Sequence, residues 1–272
     1  MAGSDDEGTP RGVVFAATGA RHRALAWRAA RSVRAHHPGL PVDLFTDEIV
    51  EHAADGAFDR VVPLDDPWRR AKIDAMARTR FERTLFLDAD VIVVAPVAEL
   101  FEVLDRFDIA AVHDQEPNSP HAANSWRRPF PAAFPQYNTG VIAYRRSAPM
   151  LDLMARWSRA VRAEDHARDQ PAFRELLWDS DLRVATLPSA YNFSQFADLA
   201  LFRGDQIAPR ILHDHARGAA EAGTSVGSEA EAVLSAMRGS DRFLARDSGR
   251  TPAPPSRMRK RLLQARMLLS RR

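Results

Sequence analysis

Cysteine is missing from this 272-residue chain. Without thiols the chain can form no disulfide bond, no cysteine-ligated zinc or iron–sulfur site and no cysteine nucleophile. Any catalysis must therefore use carboxylate, imidazole, hydroxyl or amine groups. A chain without cysteine fits a reducing compartment, and we expect a cytoplasmic protein.

Long apolar runs are missing as well. No stretch reaches the roughly 18 consecutive apolar residues of a membrane-spanning helix. Residues 1–11 are polar and acidic, without the apolar segment of a secretion signal. Hydrophobic residues still make up 45% of the chain, which suffices for one large core or two small ones. We expect a chain that neither spans a membrane nor is secreted.

Lysine is rare, because 36 of the 38 basic residues are arginine and only Lys72 and Lys260 are lysine. The tail 256–272 holds seven basic and no acidic residues, which leaves 31 basic against 36 acidic side chains elsewhere. Such a mildly acidic body is a poor partner for nucleic acid, so we expect no nucleic-acid binding. The charge and apolar stripe of the tail favour peripheral contact with an anionic membrane. A disordered tail and a helix docked on the body are the alternatives.

Short apolar runs rich in β-formers alternate with segments of helical periodicity. This alternation predicts an α/β fold with a mostly parallel central sheet. The predicted strands are residues 12–18, 42–46, 60–63, 83–87, 108–112, 137–145, 183–187 and 210–213. The predicted helices are residues 68–78, 97–105, 149–162 and 170–178, with one more that carries Leu25, Ala29 and Val33 on one face.

The composition also predicts how the chain is divided. We expect a flexible N-terminus (1–11), one domain (12–246), and a proline-containing linker with a basic, helical tail (247–272). Within the domain, residues 114–136 are rich in Pro, Asn, Ser and His. They predict a long loop, and long loops inside compact domains are often functional.

Asp88 and Asp90 interrupt an otherwise apolar run, residues 84–93. Ionised groups there are costly unless something compensates their burial, and a bound cation would do so. If the backbone is extended, side-chain alternation puts both carboxylates on one face at the end of a strand. Ligands bind at that end of open α/β sheets. The alternative is a strand-ending turn with solvated aspartates.

Two chemistries use such an aspartate pair. A haloacid-dehalogenase-type phosphatase uses one aspartate as nucleophile and the other as acid or base, whereas a nucleotide-sugar transferase uses both to hold a divalent ion against a diphosphate. The phosphatase also needs a lysine that neutralises phosphate, normally downstream, and the only downstream lysine is Lys260 in the tail. The scarcity of lysine therefore favours the transferase and leaves the phosphatase as the weaker alternative.

The chain resembles retaining GT-A glycosyltransferases of the glycogenin and bacterial galactosyltransferase kind. Five segments carry the resemblance, in the family's order: RTLFLDADVIV at 83–93, which contains the DxD motif, YNTGVIAY at 137–144, DQP at 169–171, LPSAYNF at 187–193 and RILH at 210–213. The resemblance runs from residue 12 to about 215 and leaves the tail out. It implies a single Rossmann-like GT-A domain that transfers a sugar from a nucleotide diphosphate, expected to be UDP, with retention.

The resemblance also implies a divalent metal ion, Mn²⁺ or Mg²⁺, bound by Asp88, Asp90 and a late histidine that matches His213. An imidazole beside carboxylates suits manganese better than magnesium. His215 lies two residues on and could substitute for His213 or support it; a solvated histidine is the alternative for His215.

For the nucleotide, the resemblance implies contacts from Ala16, Thr18, Asp47, Lys72, Asp88 and Ala89. Lys72 precedes Asp88 by the separation seen in glycogenin-like members. In a chain that otherwise uses arginine, a compact ammonium there is informative, although a solvated helix lysine is the alternative. The family's usual asparagine after the first strand is Gly19 here.

For the sugar, the resemblance implies donor contacts from Asp114, Asn138, Thr139 and Gly140, and it assigns Asp169 and Gln170 to the anomeric carbon as catalytic residues. Asn138 could instead form a hairpin turn. Asp169 could instead cap the helix that begins beside Pro171, and the two interpretations of Asp169 are compatible.

One departure concerns the diphosphate. After its histidine the family continues to a Lys-Pro-Trp, whereas here no lysine follows and Arg217 is the candidate substitute. The acceptor, whether glycan, lipid-linked or protein, stays open. A non-catalytic sugar-nucleotide binding protein on the same fold is the main alternative function, since fold does not establish activity. A nucleotidyltransferase fits less well, because residues 16–21 do not form a basic, glycine-rich loop.

Overall fold

The computed structural model describes residues 10–49, 56–123, 125–163, 168–194 and 209–213. These residues belong to the first of two compact units of the chain, which comprises Met1–Ser194 and Pro209–Thr224. The predicted linker and tail, His215 and Arg217 lie outside the described residues. The predicted domain boundaries stay predictions.

Nine strands and six helices lie in the described part of the chain. The strands are β1 (Arg11–Ala17), β2 (Val42–Thr46), β3 (Arg60–Pro63), β4 (Arg83–Leu87), β5 (Val91–Val93), β6 (Ile109–His113), β7 (Tyr137–Arg145), β8 (Val184–Leu187) and β9 (Ile211–His213). The helices are α1 (Gly19–His36), α2 (Lys72–Ala77), α3 (Leu100–Val103), α4 (Pro120–Ala123), α5 (Ala148–Ala163) and α6 (Gln170–Trp178). A 3₁₀ turn covers Ser189–Tyr191. None of these helices combines the length and the apolar character needed to cross a membrane.

Seven strands form the central sheet, in the order β3-β2-β1-β4-β7-β6-β8. Strand β7 runs antiparallel to its neighbours β4 and β6, and the other four pairings are parallel. The prediction of an α/β fold with a mostly parallel sheet is therefore confirmed. The remaining strands, β5 and β9, pair with each other in a separate antiparallel ribbon.

The sheet is covered on both faces. Val13 and Phe15 of β1 join one core cluster together with α1 and α3, whereas Val14 joins a second cluster with α2, α5 and α6. Strands buried on both sides are mostly apolar, which explains the nearly continuous hydrophobic runs of the sequence. Helix α1 buries its predicted face, including Leu25 and Val33.

The backbone at Asp88 and Asp90 differs from the extended conformation expected across the pair. Strand β4 ends at Leu87, and residues 88–90 form a turn before β5. The chain turns here because β5 leaves the central sheet to pair with β9. Strand alternation is therefore the wrong reason for the proximity of the two carboxylates, which lie instead in a strand-ending turn and are only about a quarter exposed.

Helix α2 is shorter than predicted. Residues 68–71 precede it as a turn in which the N–H group of Ala71 donates to the carbonyl of Trp68 at 3.0 Å. The helix begins at Lys72. This turn places residues 68–71 at the carboxyl ends of β1 and β4, where they line a cavity.

Candidate functional site

A cavity of about 380 Å³ opens at the carboxyl ends of β1 and β4. Strands β2 and β3 lie beyond β1, and the other strands lie beyond β4, so the direction of winding reverses between these two neighbours. Open α/β sheets bind ligands at such a switch point. Five of the six predicted nucleotide contacts line the cavity: Ala16, Thr18, Lys72, Asp88 and Ala89.

The cavity is richer in positive charge than the sequence analysis anticipated. In addition to Lys72, its lining includes Arg21, Arg69 and Arg70, together with His22. None of these four was predicted. The available signal was the Arg69–Arg70 pair directly before Lys72, which the turn before α2 brings to the cavity. The three arginines and Lys72 fit a ligand with several negative charges.

Asp88, Asp90 and His213 lie together beside the same turn, with one ligand atom of each within 4.8 Å of the others. The pairing of β5 with β9 places Val91 opposite His213, so the imidazole lies next to the turn. Its Nε2 atom is 3.1 Å from Oδ1 of Asp90. The structure thus brings together the three predicted metal ligands, although 123 residues separate Asp90 from His213 in the chain.

These side chains fit a divalent cation. Two carboxylates and an imidazole form a mixed oxygen and nitrogen donor set of the kind that suits Mn²⁺. Both aspartates keep about a quarter of their side-chain surface exposed, at 24% and 25%, so an ion and a ligand can reach them. His213, in contrast, is almost fully buried, at 1% exposure.

The predicted sugar-binding segment 138–140 packs against this histidine. The Oδ1 atom of Asn138 accepts from the N–H of Gly140 at 2.9 Å and from Nδ2 of Asn192 at 3.0 Å. The Oδ1 atom of Asn192 lies 2.8 Å from Nδ1 of His213. A Cβ atom on Gly140 would overlap Cε1 of His213 and lie 2.7 Å from its Nδ1. Gly140 therefore leaves the space that the imidazole occupies.

Lys72 connects the metal-ligand group to a second cluster. Its Nζ atom donates to the carboxylate of Asp88 at 3.1 and 3.2 Å, and to the carbonyl and hydroxyl oxygens of Thr139 at 3.2 Å. The same atom is 3.6 Å from Asp169. Burial opposes the charge of Lys72, but the carboxylates of Asp169 and Asp88 outweigh it and raise the pKa of the ammonium. Lys72 is thus a buried cation and not a solvated helix lysine.

Asp169 holds the opposite charge in this cluster. The residue is 4% exposed. Its Oδ2 accepts from the hydroxyl of Thr139 at 2.9 Å, and its Oδ1 is 3.5 Å from Arg70. Burial alone would raise the pKa of the Asp169 carboxyl, but the positive charges of Lys72 and Arg70 lower it below the ordinary value. Asp169 is therefore ionised.

The N-cap position of α6 is also occupied by Asp169, as predicted. Its side chain makes no capping hydrogen bond, because it points to Thr139 and the two cations. Its carbonyl accepts from the indole N–H of Trp157 at 2.9 Å. Next to it, Oε1 of Gln170 accepts from Nε2 of Gln136 at 3.3 Å.

Two other predicted residues are engaged locally. Oδ1 of Asp114 accepts from the N–H of Glu116 at 2.9 Å, which shapes the loop after β6. The cavity lining does not include Asp47, whose carboxylate accepts from the N–H of Gly19 at 2.8 Å and pairs with Arg23 at 2.6 Å. Their ligand contacts stay predictions.

Comparisons with known proteins agree with this geometry. The model of a family described as nucleotide-diphospho-sugar transferase matches residues 68–214. This range contains the DxD turn, both charged clusters and His213. A search of curated proteins found no match.

Several solved glycosyltransferases share the fold at low sequence identity. The apo form of GlyE from Streptococcus pneumoniae TIGR4 is 18% identical with a TM-score of 0.62, over 84% of this chain and 60% of GlyE. LgtC, a galactosyltransferase in complex with donor and acceptor sugar analogues, is 16% identical with a TM-score of 0.57, over 92% of this chain and 99% of LgtC. The bifunctional WbbM is 16% identical with a TM-score of 0.54, over 78% of this chain and 46% of WbbM. The expected GT-A fold is confirmed.

Proposed function

The chain belongs to the nucleotide-diphospho-sugar transferase family, and from this premise we propose a metal-dependent glycosyltransferase that moves a sugar from a nucleotide diphosphate to an acceptor hydroxyl. We propose UDP as the nucleotide, Mn²⁺ or Mg²⁺ as the metal, and retention of the anomeric configuration. The proposal rests on one observation. The basic cavity at the switch point is lined by Asp88 and Asp90, which lie together with His213.

The diphosphate leaving group is the difficult part of the reaction. Asp88, Asp90 and His213 are the residues that would hold the metal. When bound, the divalent ion would neutralise charge that develops on the diphosphate as the glycosidic bond breaks, a contribution of several kcal/mol.

Arginines of the cavity supply further positive charge. The Lys-Pro-Trp that follows the histidine in related enzymes is absent, and Arg217 lies outside the described residues. Arg21, Arg69 and Arg70 line the cavity, and a guanidinium binds phosphate oxygens through paired N–H groups. We assign the phosphate contacts of the missing motif to these arginines, and the approach of the nucleotide to the backbone of Ala16 and Thr18.

Asp169 and Gln170 are the proposed catalytic residues. Asp169 is held as a carboxylate by Thr139, Lys72 and Arg70. An ionised carboxylate can stabilise positive charge on the sugar ring or bond to it transiently, and front-face attack assisted by the leaving phosphate is the other route to retention. Lys72 and Thr139 orient this carboxylate next to Asp88.

A sugar is the proposed acceptor, because the structure of LgtC contains both donor and acceptor sugar analogues.

The alternative to an enzyme is a binding protein that holds a sugar nucleotide without transferring it. The position of Asp169, paired with Lys72 and Arg70 beside a group of side chains that could hold a metal ion, favours an enzyme.

A donor panel tests the proposal. Thermal unfolding of the full chain is measured with a series of nucleotide sugars, each with and without Mn²⁺, and release of the nucleoside diphosphate is followed for the donor that stabilises most. Because a ligand that binds the folded state raises its stability, the true donor should raise Tm only with metal and be slowly hydrolysed. Metal-dependent stabilisation without release would favour the binding protein, and no stabilisation by any donor would contradict both functions.

The basic tail adds a separate prediction. Residues 256–272 lie outside the described residues, and we propose that they contact anionic membranes at the cytoplasmic face. Each basic residue near such a surface contributes about 1 kcal/mol. Sedimentation with anionic and neutral vesicles compares the full chain with one that ends at Ser256. Equal binding of both chains to anionic vesicles would contradict the proposal.

A further inference from the structure

Behind His213 lies a row of buried side-chain amides to which the sequence analysis gave no role at the metal. Asn192, fully buried, connects the imidazole to Asn138, which is 8% exposed. Asn192 follows the 3₁₀ turn and is the sixth residue of the LPSAYNF segment. The hydrogen bonds of this row run from the backbone of Gly140 to Nδ1 of the imidazole.

The backbone sets the direction of every hydrogen bond in the row. The N–H of Gly140 can only donate, so the Asn138 atom that faces it is the oxygen Oδ1. The same oxygen faces Asn192, which must therefore present its NH₂ group. The remaining amide atom of Asn192 is then its oxygen, and this oxygen faces Nδ1 of His213. An oxygen acceptor there requires a proton on Nδ1.

A proton on Nδ1 determines what the other ring nitrogen can do. In a neutral imidazole with Nδ1–H, the Nε2 atom carries a lone pair and accepts. Nε2 lies 3.1 Å from the carboxylate oxygen Oδ1 of Asp90. Two acceptors at this distance repel each other unless a proton or a metal ion lies between them. The row of amides thus prepares His213 to bind a metal ion through Nε2.

We infer that Asn192, held in register by Asn138, is a positioning residue that keeps His213 in the Nδ1–H tautomer with Nε2 directed at the metal site. The inference deepens the proposed function and rests on its metal dependence. It also changes the role of the segment 138–140, because the Asn138 amide oxygen accepts two hydrogen bonds of this row. Asn138 and Gly140 then act on the histidine through these atoms, and their donor-sugar contacts stay predictions.

The main chain supports Asn192 in this position. Nε2 of Gln115 donates to the carbonyl of Asn192, and Oε1 of the same side chain accepts from the N–H of Ser194 at 3.3 Å. The N–H of His213 donates to the carbonyl of Phe193 at 2.9 Å. Phe193, the residue after the asparagine, is thus tied to the strand that carries the histidine, and Gln115 holds the main chain of Asn192 and Ser194.

The test is Mn²⁺ affinity of the metal-free full chain, measured by electron paramagnetic resonance of free Mn²⁺. Asn192→Leu keeps a similar volume in the buried position and removes the partner of Nδ1. Loss of a residue that orients a metal-binding histidine lowers metal affinity about 10- to 100-fold, and we expect a loss in this range. The matched control is Tyr191→Phe, at the residue before Asn192. It removes the hydrogen bond from Tyr191 to Glu99 and should leave the Mn²⁺ affinity unchanged.

A second measurement needs no change at Asn192. Long-range ¹H–¹⁵N spectra of the metal-free wild-type chain distinguish the two imidazole tautomers, and the signal of His213 is identified by its loss in His213→Gln. We expect a proton on Nδ1. An Nδ1 atom without a proton, or an Asn192→Leu variant with wild-type Mn²⁺ affinity, would overturn the inference while leaving the metal-dependent function intact. A wild-type chain that binds no Mn²⁺ would instead overturn the proposed function, and the inference with it.

Discussion

The two charged clusters of the site share Asp88 but are balanced in different ways. In the metal-ligand group, Asp88 and Asp90 face His213, which is held from behind by the neutral amide of Asn192. In the second cluster, Asp88 and Asp169 face Lys72 and Arg70. Negative charge therefore predominates in the first cluster, whereas the second contains its own cations.

This difference separates two tasks. A group of two carboxylates and an imidazole can be completed by a cation from outside, so its charge changes with metal binding. A carboxylate surrounded by the chain's own cations is ionised before any ligand arrives, and it needs no reorganisation during the reaction. We therefore expect metal binding to change the charge of the first cluster. In the second cluster, we expect activity to change with substitutions that alter the charge or the shape of its side chains.

The largest effect is expected from Asp90→Ala, which removes one ligand of the metal group. Transfer activity should fall by at least about 100-fold, roughly 2.7 kcal/mol of barrier, while the protein stays folded. Transfer activity at saturating Mn²⁺ measures the loss, and the circular dichroism spectrum shows whether the protein stays folded. Asp152→Ala is a suitable control, since Asp152 pairs with Arg156 on α5 outside the site. Activity within about tenfold of wild type would remove the metal assignment.

Asp169→Asn should distinguish the roles of the two clusters most clearly. The change keeps the size of the side chain and removes the charge that faces Lys72 and Arg70. We expect turnover to fall by about 100-fold, because the residue is assigned to the sugar, with little change in UDP and Mn²⁺ affinity. Isothermal titration calorimetry with UDP measures the affinity for the nucleotide. A parallel loss of UDP affinity would place Asp169 at the nucleotide instead.

Gly140→Ala tests the first cluster through its shape. The added Cβ would overlap the imidazole of His213, so we expect Mn²⁺ affinity to fall about tenfold or more and stability to fall by about 1–3 kcal/mol from overpacking. Gly39→Ala is the matched control, because nothing lies within 4 Å of a Cβ there. Mn²⁺ affinity equal to that of the control would show that the histidine can move without cost.

The smallest effect is expected at Lys72. Lys72→Ala should raise the KM for the donor by about tenfold, and Lys72→Arg should restore only part of it, because a planar guanidinium does not replace a compact ammonium among Asp88, Thr139 and Asp169. The readout is donor KM with kcat measured in parallel. Full recovery with arginine would mean that charge alone matters in the second cluster.

The sequence predicted the fold and the metal-ligand group well. Strand periodicity located β2, β3, β4 and β7 at their observed bounds, because buried strands are short apolar runs flanked by polar residues. Asp88 and Asp90 were found as charges that interrupt an apolar run, and His213 was found through the resemblance. Asn192 and the cavity arginines were not assigned, because an asparagine in a loop carries little local signal and the Arg69–Arg70 pair before Lys72 is one of many arginine sites in a chain with 36 arginines.

Sequence alone therefore determined the alternation of most strands and helices and the absence of thiol chemistry, since these follow from local periodicity and from residue type, and the resemblance supplied most candidate residues of the site. Tertiary structure decided what each of them contacts. The pairing of β5 with β9 places residue 213 beside residue 90, and the turn before α2 brings Arg69 and Arg70 to the cavity. Hydrogen-bond direction from Gly140 to His213 depends on atoms far apart in the chain, so only the folded chain could assign Asn138 and Asn192 to the metal site.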